Sequence, residues 1–329
     1  MAKRIAINGF GRIGRLTFRL LMDNPEVEVV AVNDLTDNGT LAHLLKYDST
    51  HGTLDATVEH TDKAIIVNGK TINAYNEKEP NKLPWETLKI DTVLECTGFF
   101  LKKELASLHL DAGAKRVLLS APAKGEGVQT IVLGVNDELL DNEADIISNA
   151  SCTTNCLSPM VKIIDENFGL DQGYMTTIHA YTANQNIQDA PHKDLRRARA
   201  AAVNIIPTTT GAAVALGLVY PKAKGKITAM AVRVPVPNGS LTELTCNINK
   251  DITLEELRAT FKKAADGPLK GILEFSMEPL VSSDIIGNKN SCIIDGDMMS
   301  VTGRMIKVIG WYDNEYGYSS RMVDMVVRW

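Results

Sequence analysis

The chain has 329 residues, 44% hydrophobic and 23% charged, a composition that can bury a core and excludes a disordered chain. Its 24 glycines and 12 prolines exclude a collagen-like or linker-dominated chain, and its length suits two domains rather than three. The net charge of −5, from 35 basic and 40 acidic residues, speaks against nucleic acid as the main partner, because phosphate backbones reward clustered Lys and Arg. A small anionic ligand remains compatible with that balance, since a few arginines in one cleft suffice for it.

Arg4 to Asn8 reads as a short buried strand, followed by Gly9-Phe10-Gly11-Arg12-Ile13-Gly14. Ile13, Leu16, Leu20 and Leu21 then recur at helical spacing from Arg12 to Asn24, and Val27 to Val32 reads as a second strand ending at Asn33-Asp34. This is one strand–helix–strand unit of the length a parallel crossover needs. Ile65-Ile66-Val67 and Thr71 to Tyr75 flank Asn68-Gly69, a hairpin turn signal. Thr92–Cys96, Val117–Ser120, Ile131–Val135 and Ile146-Ile147 are short apolar runs suited to a largely parallel sheet, with a helix over Leu101–Ala112. The first 150 residues are expected to form a doubly wound α/β domain.

After Ala150 the pattern changes. A helix is expected over Thr154–Asn167 and a strand over Tyr174–His179, followed by a polar, basic stretch from Asn184 to Asn204. Longer strands at Ile227–Val234, Leu241–Ile248, Cys292–Ile294 and Met305–Trp311, with helices at Gly211–Val219 and Leu254–Ala265, suggest a mixed or antiparallel sheet covered by helices. A last helix is expected over Gly317–Trp329.

The glycine triplet Gly9, Gly11, Gly14 is weak evidence by itself. Here a strand precedes it, a helix follows, and Asp34 lies 20 residues beyond Gly14. Glycines let the backbone approach a pyrophosphate, the helix N-terminus offers unpaired N–H groups, and the carboxylate binds a ribose diol. A carboxylate there repels a 2′-phosphate, which favours NAD over NADP.

Ser151-Cys152-Thr153-Thr154-Asn155-Cys156 falls where a strand ends and a helix begins. The helix dipole and free N–H groups there stabilise a thiolate, so an accessible Cys152 is expected to oxidise before the other thiols. A free cysteine is more often buried structure than nucleophile, and Cys-x-x-x-Cys with no second Cys/His pair is poor for zinc. The residues alone leave the catalytic and the structural reading of Cys152 open. His179 ends the following strand, where a neighbouring helix start shares its edge, and a Cys–His pair is a standard way to activate a thiol. His43, His51, His60, His109 and His192 are further histidines without that placement. Arg233 lies in an apolar strand, where a guanidinium is costly unless it meets an anion, and Thr208-Thr209-Thr210-Gly211 opens a helix. The basic run Lys193–Arg199 suits a solvated surface or a subunit contact equally. The five cysteines, Cys96, Cys152, Cys156, Cys246 and Cys292, cannot all pair, which suggests a reducing compartment. No apolar run reaches the roughly 20 residues of a bilayer span, and no signal-type segment opens the chain, so a cytoplasmic protein without a membrane partner is expected.

Taken together, Ile7-Asn8-Gly9-Phe10-Gly11-Arg12-Ile13-Gly14-Arg15, Ala150-Ser151-Cys152-Thr153-Thr154-Asn155-Cys156 and Trp311-Tyr312-Asp313-Asn314-Glu315-Tyr316-Gly317-Tyr318 closely resemble the phosphorylating glyceraldehyde-3-phosphate dehydrogenases. Pro191-His192-Lys193-Asp194-Leu195-Arg196-Arg197-Ala198-Arg199 looks like the bacterial branch. The resemblance implies a Rossmann-type NAD-binding domain over residues 1–150 and an α+β catalytic domain over 151–315, with a C-terminal helix at about 316–329 packed back on the first. It makes Cys152 the nucleophile and His179 its activating partner. Ser151, Thr153, Thr182, Arg197, Thr210, Gly211 and Arg233 would hold the substrate phosphate and the attacking inorganic phosphate. Gly9, Gly11, Arg12 and Ile13 fall on the pyrophosphate loop, Asp34 on the adenosine ribose contact, Lys78 and Ser120 on further NAD contacts, and Asn314 on the nicotinamide carboxamide contact. Pro191 is the residue type that NAD-using members carry near the ribose. The implied reaction oxidises glyceraldehyde 3-phosphate to 1,3-bisphosphoglycerate through a thioester in a homotetramer, with no metal and no nucleic acid. An erythrose-4-phosphate dehydrogenase is the alternative, and Thr182 with Thr210-Gly211 argues against it. The chain stops at Trp329, earlier than the resemblance leads one to expect, so Trp329 is expected to be exposed or the last helix to pack differently.

Overall fold

The computed structural model describes residues 2–141 and 143–329; Met1, where the expected first domain begins, lies outside the described residues. The chain divides into two compact units, one made of Met1–Ile131, Glu138–Ala150 and Ser319–Trp329, the other of Val132–Asp137 and Ser151–Tyr318.

In the first unit the elements run β1 (Lys3–Asn8), α1 (Arg12–Leu21), β2 (Val27–Asn33), α2 (Asn38–Lys46), β3 (Val58–Thr61), β4 (Ala64–Val67), β5 (Lys70–Tyr75), β6 (Thr92–Glu95), α3 (Lys103–Asp111), β7 (Arg116–Leu119), β8 (Gln129–Thr130) and β9 (Ile146–Ser148). Among the described residues they form one sheet in the order β3-β4-β5-β2-β1-β6-β7-β9-β8, parallel except at β3–β4 and β4–β5. The strand order reverses on either side of β1, so β1, β2, β6 and β7 bring their carboxyl ends to one edge, the place where open α/β sheets bind ligands. Ala6, Ala31, Val93, Ile90 and Trp85 form a core on one side, with Val117, Leu119, Ile146 and Ala106 in a second cluster. The β4–β5 turn takes the form its sequence requires, with Asn68 and Gly69 both at positive φ.

The structure departs locally from the sequence reading. The run Ile131–Val135 is no strand: Gly134 sits at φ +82°, the Val135 N–H donates to the Val132 carbonyl, and the Asn136 side chain takes the Val132 N–H at 2.8 Å, closing a turn. Helix α2 was not anticipated, although Asp37 caps it by accepting from the Thr40 N–H. Trp329 is 7% exposed, with the Arg116 guanidinium 5.0 Å above its ring and bonded to its backbone oxygen. Lys3 fastens the same end of the chain, donating to the carbonyls of Val326 and Val327.

In the second unit follow α4 (Cys152–Phe168), β10 (Leu170–Ala180), β11 (Ile206–Thr208), α5 (Ala212–Val219), β12 (Ile227–Val234), β13 (Ser240–Ile248), α6 (Leu254–Asp266), β14 (Leu273–Ser276), β15 (Cys292–Asp295), β16 (Ser300–Thr302), β17 (Met305–Tyr312) and α7 (Tyr316–Arg328), whose last residues belong to the first unit. The sheet runs β11-β12-β10-β13-β17-β15-β14, with β16 beside β17, and mixes parallel and antiparallel pairs. Strand β13 alternates buried and half-buried residues along its length, the period of a strand with unequal faces. Against this sheet α4 buries Cys156, Leu157, Met160, Val161 and Ile164. Gly310 of β17 is needed there, because a Cβ would meet the sulfurs of Cys292, Met160 and Cys156 at 2.6, 2.9 and 3.1 Å.

Candidate active site

The glycine loop of the first unit is built by close approach. Gly9 has φ +91°, and a Cβ on it would stand 2.7 Å from the backbone of Cys96 and Thr97. A Cβ on Gly14 would stand 2.2 Å from the Gly9 oxygen, whereas one on Gly11 would meet nothing within 4 Å. Gly11 caps α1 without any side-chain bond, which leaves an open helix N-terminus facing a clear backbone surface. Asp34 is shared: its carboxylate accepts from the Phe10 N–H at 2.8 Å and the Thr36 N–H at 3.0 Å, fixing the loop, and a carboxylate has acceptor sites left for a diol. This donor and acceptor set fits a dinucleotide. Arg12 turns its guanidinium to Asp48 at 3.2 Å, while Ile13 is half-buried behind it on α1. Lys78 is exposed, and the Asn33 side chain grips the preceding Glu77 through both its N–H and its carbonyl at 2.9 Å. The Ser120 N–H donates to the Glu95 carbonyl at 3.0 Å at the end of β7.

Beneath this edge lies a polar cluster that the sequence did not announce. The Trp85 indole N–H donates to His109 Nδ1 at 3.0 Å, so the ring proton of a neutral His109 sits on Nε2, 3.1 Å from Glu95 Oε2. Asn8 donates to the same Oε2 at 2.6 Å and accepts from Asn33, while the Thr97 N–H donates to Glu95 Oε1 at 2.7 Å and its hydroxyl bonds there too. All of it except Thr97 is buried. No local pattern marks these residues; only the sheet brings them together.

In the second unit Ser151 is the N-cap of α4, its hydroxyl accepting from the Thr154 N–H at 3.1 Å, and Cys152 is the first helical residue. Cys152 Sγ lies 3.5 Å from His179 Nε2. His179 stands opposite Arg233 in the parallel β10–β12 pair; with Nε2 free to accept, its Nδ1–H donates to the Ala180 carbonyl at 2.7 Å, and Arg233 Nη1, 2.8 Å from that ring nitrogen, donates to the same carbonyl at 3.0 Å. The Arg233 Nε is buried and has no partner. Burial, and next the Arg197 charge, oppose the charge of Arg233, so this guanidinium is receptive to an anion.

The electrostatics depart from the helix-dipole expectation. Burial pushes the Cys152 thiol up to about 11, against the pull of Arg233 and the Thr153 N–H. Burial, and then Arg233, push His179 down to about 3. Desolvation therefore outweighs the helix terminus, and the resting pair is a thiol beside a neutral imidazole. Moving the proton from Sγ to Nε2 creates two opposite charges in contact, so the two groups ionise together.

The other predicted anion ligands are partly assembled. Arg197 donates to Thr208 Oγ1 at 3.0 Å and to the Thr209 carbonyl at 3.1 Å, which pins the basic segment to the start of α5. Thr210 accepts from the Ala212 N–H at 3.2 Å, and Gly211 is the α5 N-cap, exposed and without a side-chain bond. The Thr182 N–H is bonded to Gln185 at 3.3 Å. Asn314 accepts from Ser240 Oγ at 2.7 Å, and the same oxygen accepts the Ala180 N–H, linking Asn314 to the residue after His179. Thr153 is the exception: its hydroxyl is bonded to Tyr312, not directed outward. No group of His, Cys, Asp and Glu suited to holding a metal ion occurs among the described residues, and none of their helices is long and apolar enough to cross a membrane.

A glycine loop with an acidic residue at the end of the second strand, and in the other unit a thiol against an imidazole with arginines about it, are the features of a dinucleotide-dependent dehydrogenase. Residues 3–103 match the family model for the glyceraldehyde 3-phosphate dehydrogenase NAD binding domain, and residues 151–314 that for the C-terminal domain. The chain is 57% identical over 327 residues to glyceraldehyde-3-phosphate dehydrogenase 1 of Bacillus subtilis and 56% identical over 327 residues to glyceraldehyde-3-phosphate dehydrogenase of Geobacillus stearothermophilus, covering 99% of this chain and 97% of each relative. A Mycobacterium avium glyceraldehyde-3-phosphate dehydrogenase is 54% identical over 334 residues, with 99% and 98% covered. The chain belongs to the glyceraldehyde-3-phosphate dehydrogenase family, and its cofactor is NAD.

Proposed function

We propose that the protein oxidises D-glyceraldehyde 3-phosphate to 1,3-bisphosphoglycerate with inorganic phosphate, as a glycolytic enzyme. The observation that carries this reading is Cys152 Sγ at 3.5 Å from His179 Nε2, with Arg233 on the far side of the imidazole. His179 Nε2 takes the thiol proton as Sγ attacks the aldehyde carbon and hands it to the oxyanion that forms, giving a neutral hemithioacetal and freeing Nε2 again. It then takes the hemithioacetal hydroxyl proton as hydride leaves that carbon. NAD, when bound, supplies the hydride acceptor. The product is a thioester on Cys152; phosphate attacks its carbon, the C–S bond breaks, and the acyl phosphate leaves. Ser151, Thr182, Arg197, Thr210, Gly211 and Arg233 supply donors for the two phosphates, whereas the Thr153 hydroxyl is committed to Tyr312. Gly9, Gly11, Arg12, Ile13, Asp34, Lys78, Ser120 and Asn314 hold the cofactor, and the Asp34 carboxylate disfavours a 2′-phosphate.

Ile187, Leu195, Val203 and Ile205 are 70 to 83% exposed, an apolar surface that copies of the chain would cover, in keeping with a homotetramer. The free cysteines suit the cytoplasm, and the acidic charge balance gives nucleic acid no footprint. The test is NADH formation from glyceraldehyde 3-phosphate with and without phosphate. Phosphate-dependent turnover that Cys152→Ala abolishes is expected; faster, phosphate-independent turnover of erythrose 4-phosphate would overturn the assignment.

A further inference from the structure

Cys152 opens a helix and His179 lies near the end of a strand, so their separation depends on how α4 seats on β10. Tyr312, on β17, is fully buried and reaches over β13 to the junction of these two elements. Its hydroxyl is 2.9 Å from Thr153 Oγ1, beside Cys152, and 2.7 Å from Thr177 Oγ1, two residues before His179 on the same face of β10. Its ring stands edge-on to the His179 ring, with centroids 6.0 Å apart.

The direction of these bonds follows from their end. Thr177 Oγ1 is 3.1 Å from the Leu241 carbonyl, which can only accept, so the Thr177 hydroxyl donates there. Tyr312 must then donate to Thr177, and the Thr153 hydroxyl must donate to Tyr312. One chain of hydroxyls, Thr153 to Tyr312 to Thr177 to Leu241, ties the helix start to the strand and turns the Thr153 proton inward. This explains why Thr153 offers no outward donor in the resting site.

We propose that Tyr312 is a positioning residue for the reaction, holding the Cys152–His179 contact in register through Thr153 and Thr177. The proposal rests on the thiol–imidazole reading above. Loss of the phenol hydroxyl lets the helix start drift from β10, weakening proton transfer from Sγ to Nε2 while leaving NAD binding in the first unit untouched.

The experiment compares Tyr312→Phe, Thr177→Val, their double variant and Thr177→Ser. It reads kcat, the NAD KM, and the rate at which iodoacetamide alkylates Cys152 from pH 6 to 10. Tyr312→Phe and Thr177→Val are each expected to lower kcat roughly tenfold, a fraction of the hundredfold that an ångström of misplacement costs, and to slow alkylation of Cys152 about tenfold at each pH of this range, which lies below the midpoint of the thiol. The NAD KM stays unchanged, the double variant is no worse than the weaker single, and Thr177→Ser behaves as wild type. If Tyr312→Phe fails to fold, the Thr177→Val and Thr177→Ser pair decides the matter alone. Wild-type alkylation rates across this pH range in the folded variants, or losses that multiply in the double variant, would overturn the proposal. Failure of the underlying reading looks different: wild-type protein alkylated at Cys152 would then stay active.

Discussion

Gly14→Ala and Gly11→Ala separate the two tasks of the glycine loop. A Cβ on Gly14 would stand 2.2 Å from the Gly9 carbonyl oxygen and 3.2 Å from Ile7 Cγ2, both belonging to packed backbone or core. The oxygen contact is about 1 Å short of ordinary van der Waals separation, so α1 or the loop must move by that much. Overpacking of this kind costs about 1–3 kcal/mol. A Cβ on Gly11 meets nothing within 4 Å and its φ is −73°, so its stability cost stays at or below about 1 kcal/mol. That Cβ stands instead on the open backbone surface that a pyrophosphate approaches. Urea unfolding should therefore show Gly14→Ala clearly destabilised and Gly11→Ala close to wild type. NAD titration followed by protein fluorescence should show Gly11→Ala weakened at least tenfold. A Gly14→Ala protein as stable as wild type, or a Gly11→Ala protein that binds NAD unchanged, would refute the steric argument.

Two further outcomes follow from buried groups. His179 has its folded pKa lowered to about 3, below the unfolded value of 6.5, so the stability it contributes is complete above pH 6.5 and is lost as pH falls toward 3. Melting curves of the wild type between pH 7 and 4 should show a decline that His179→Asn reduces; equal slopes would contradict this. Glu95→Gln places an amide where Asn8, His109 and Thr97 all donate, leaving buried donors facing each other. A loss of about 2–4 kcal/mol in urea unfolding is expected, and a neutral result would show that the cluster repacks.

What could be read from the sequence was what neighbouring residues decide. The β1–α1–β2 unit, the Asn68-Gly69 turn and the strand-to-helix junction at Cys152 each depend on a few consecutive side chains. The α2 helix was missed because Gly39 and Thr40 weaken its start, though the Asp37 cap is a readable signal. Ile131–Val135 misled because its apolar residues resemble a strand, while the Asn136 side chain and the Gly134 backbone decide for a turn. The charge state of Cys152 was misjudged for another reason: a dipole is local, whereas the burial that opposes it comes from the whole unit. Glu95, His109 and Trp85 lie 10 to 24 residues apart and become neighbours only when the sheet forms.

The first unit is closed by residues from both ends of the chain, since Lys3 donates to the carbonyls of Val326 and Val327 across more than 320 positions. During synthesis the chain emerges from its N-terminus, so the second unit has all its residues before the first can be completed. The rest of the first unit must wait with the seat of Ser319–Trp329 uncovered until that segment has been made. The order of assembly is thereby reversed with respect to the order of sequence: the unit that begins the chain is the last to finish folding, and chains that stop a few residues short should fail first at nucleotide binding.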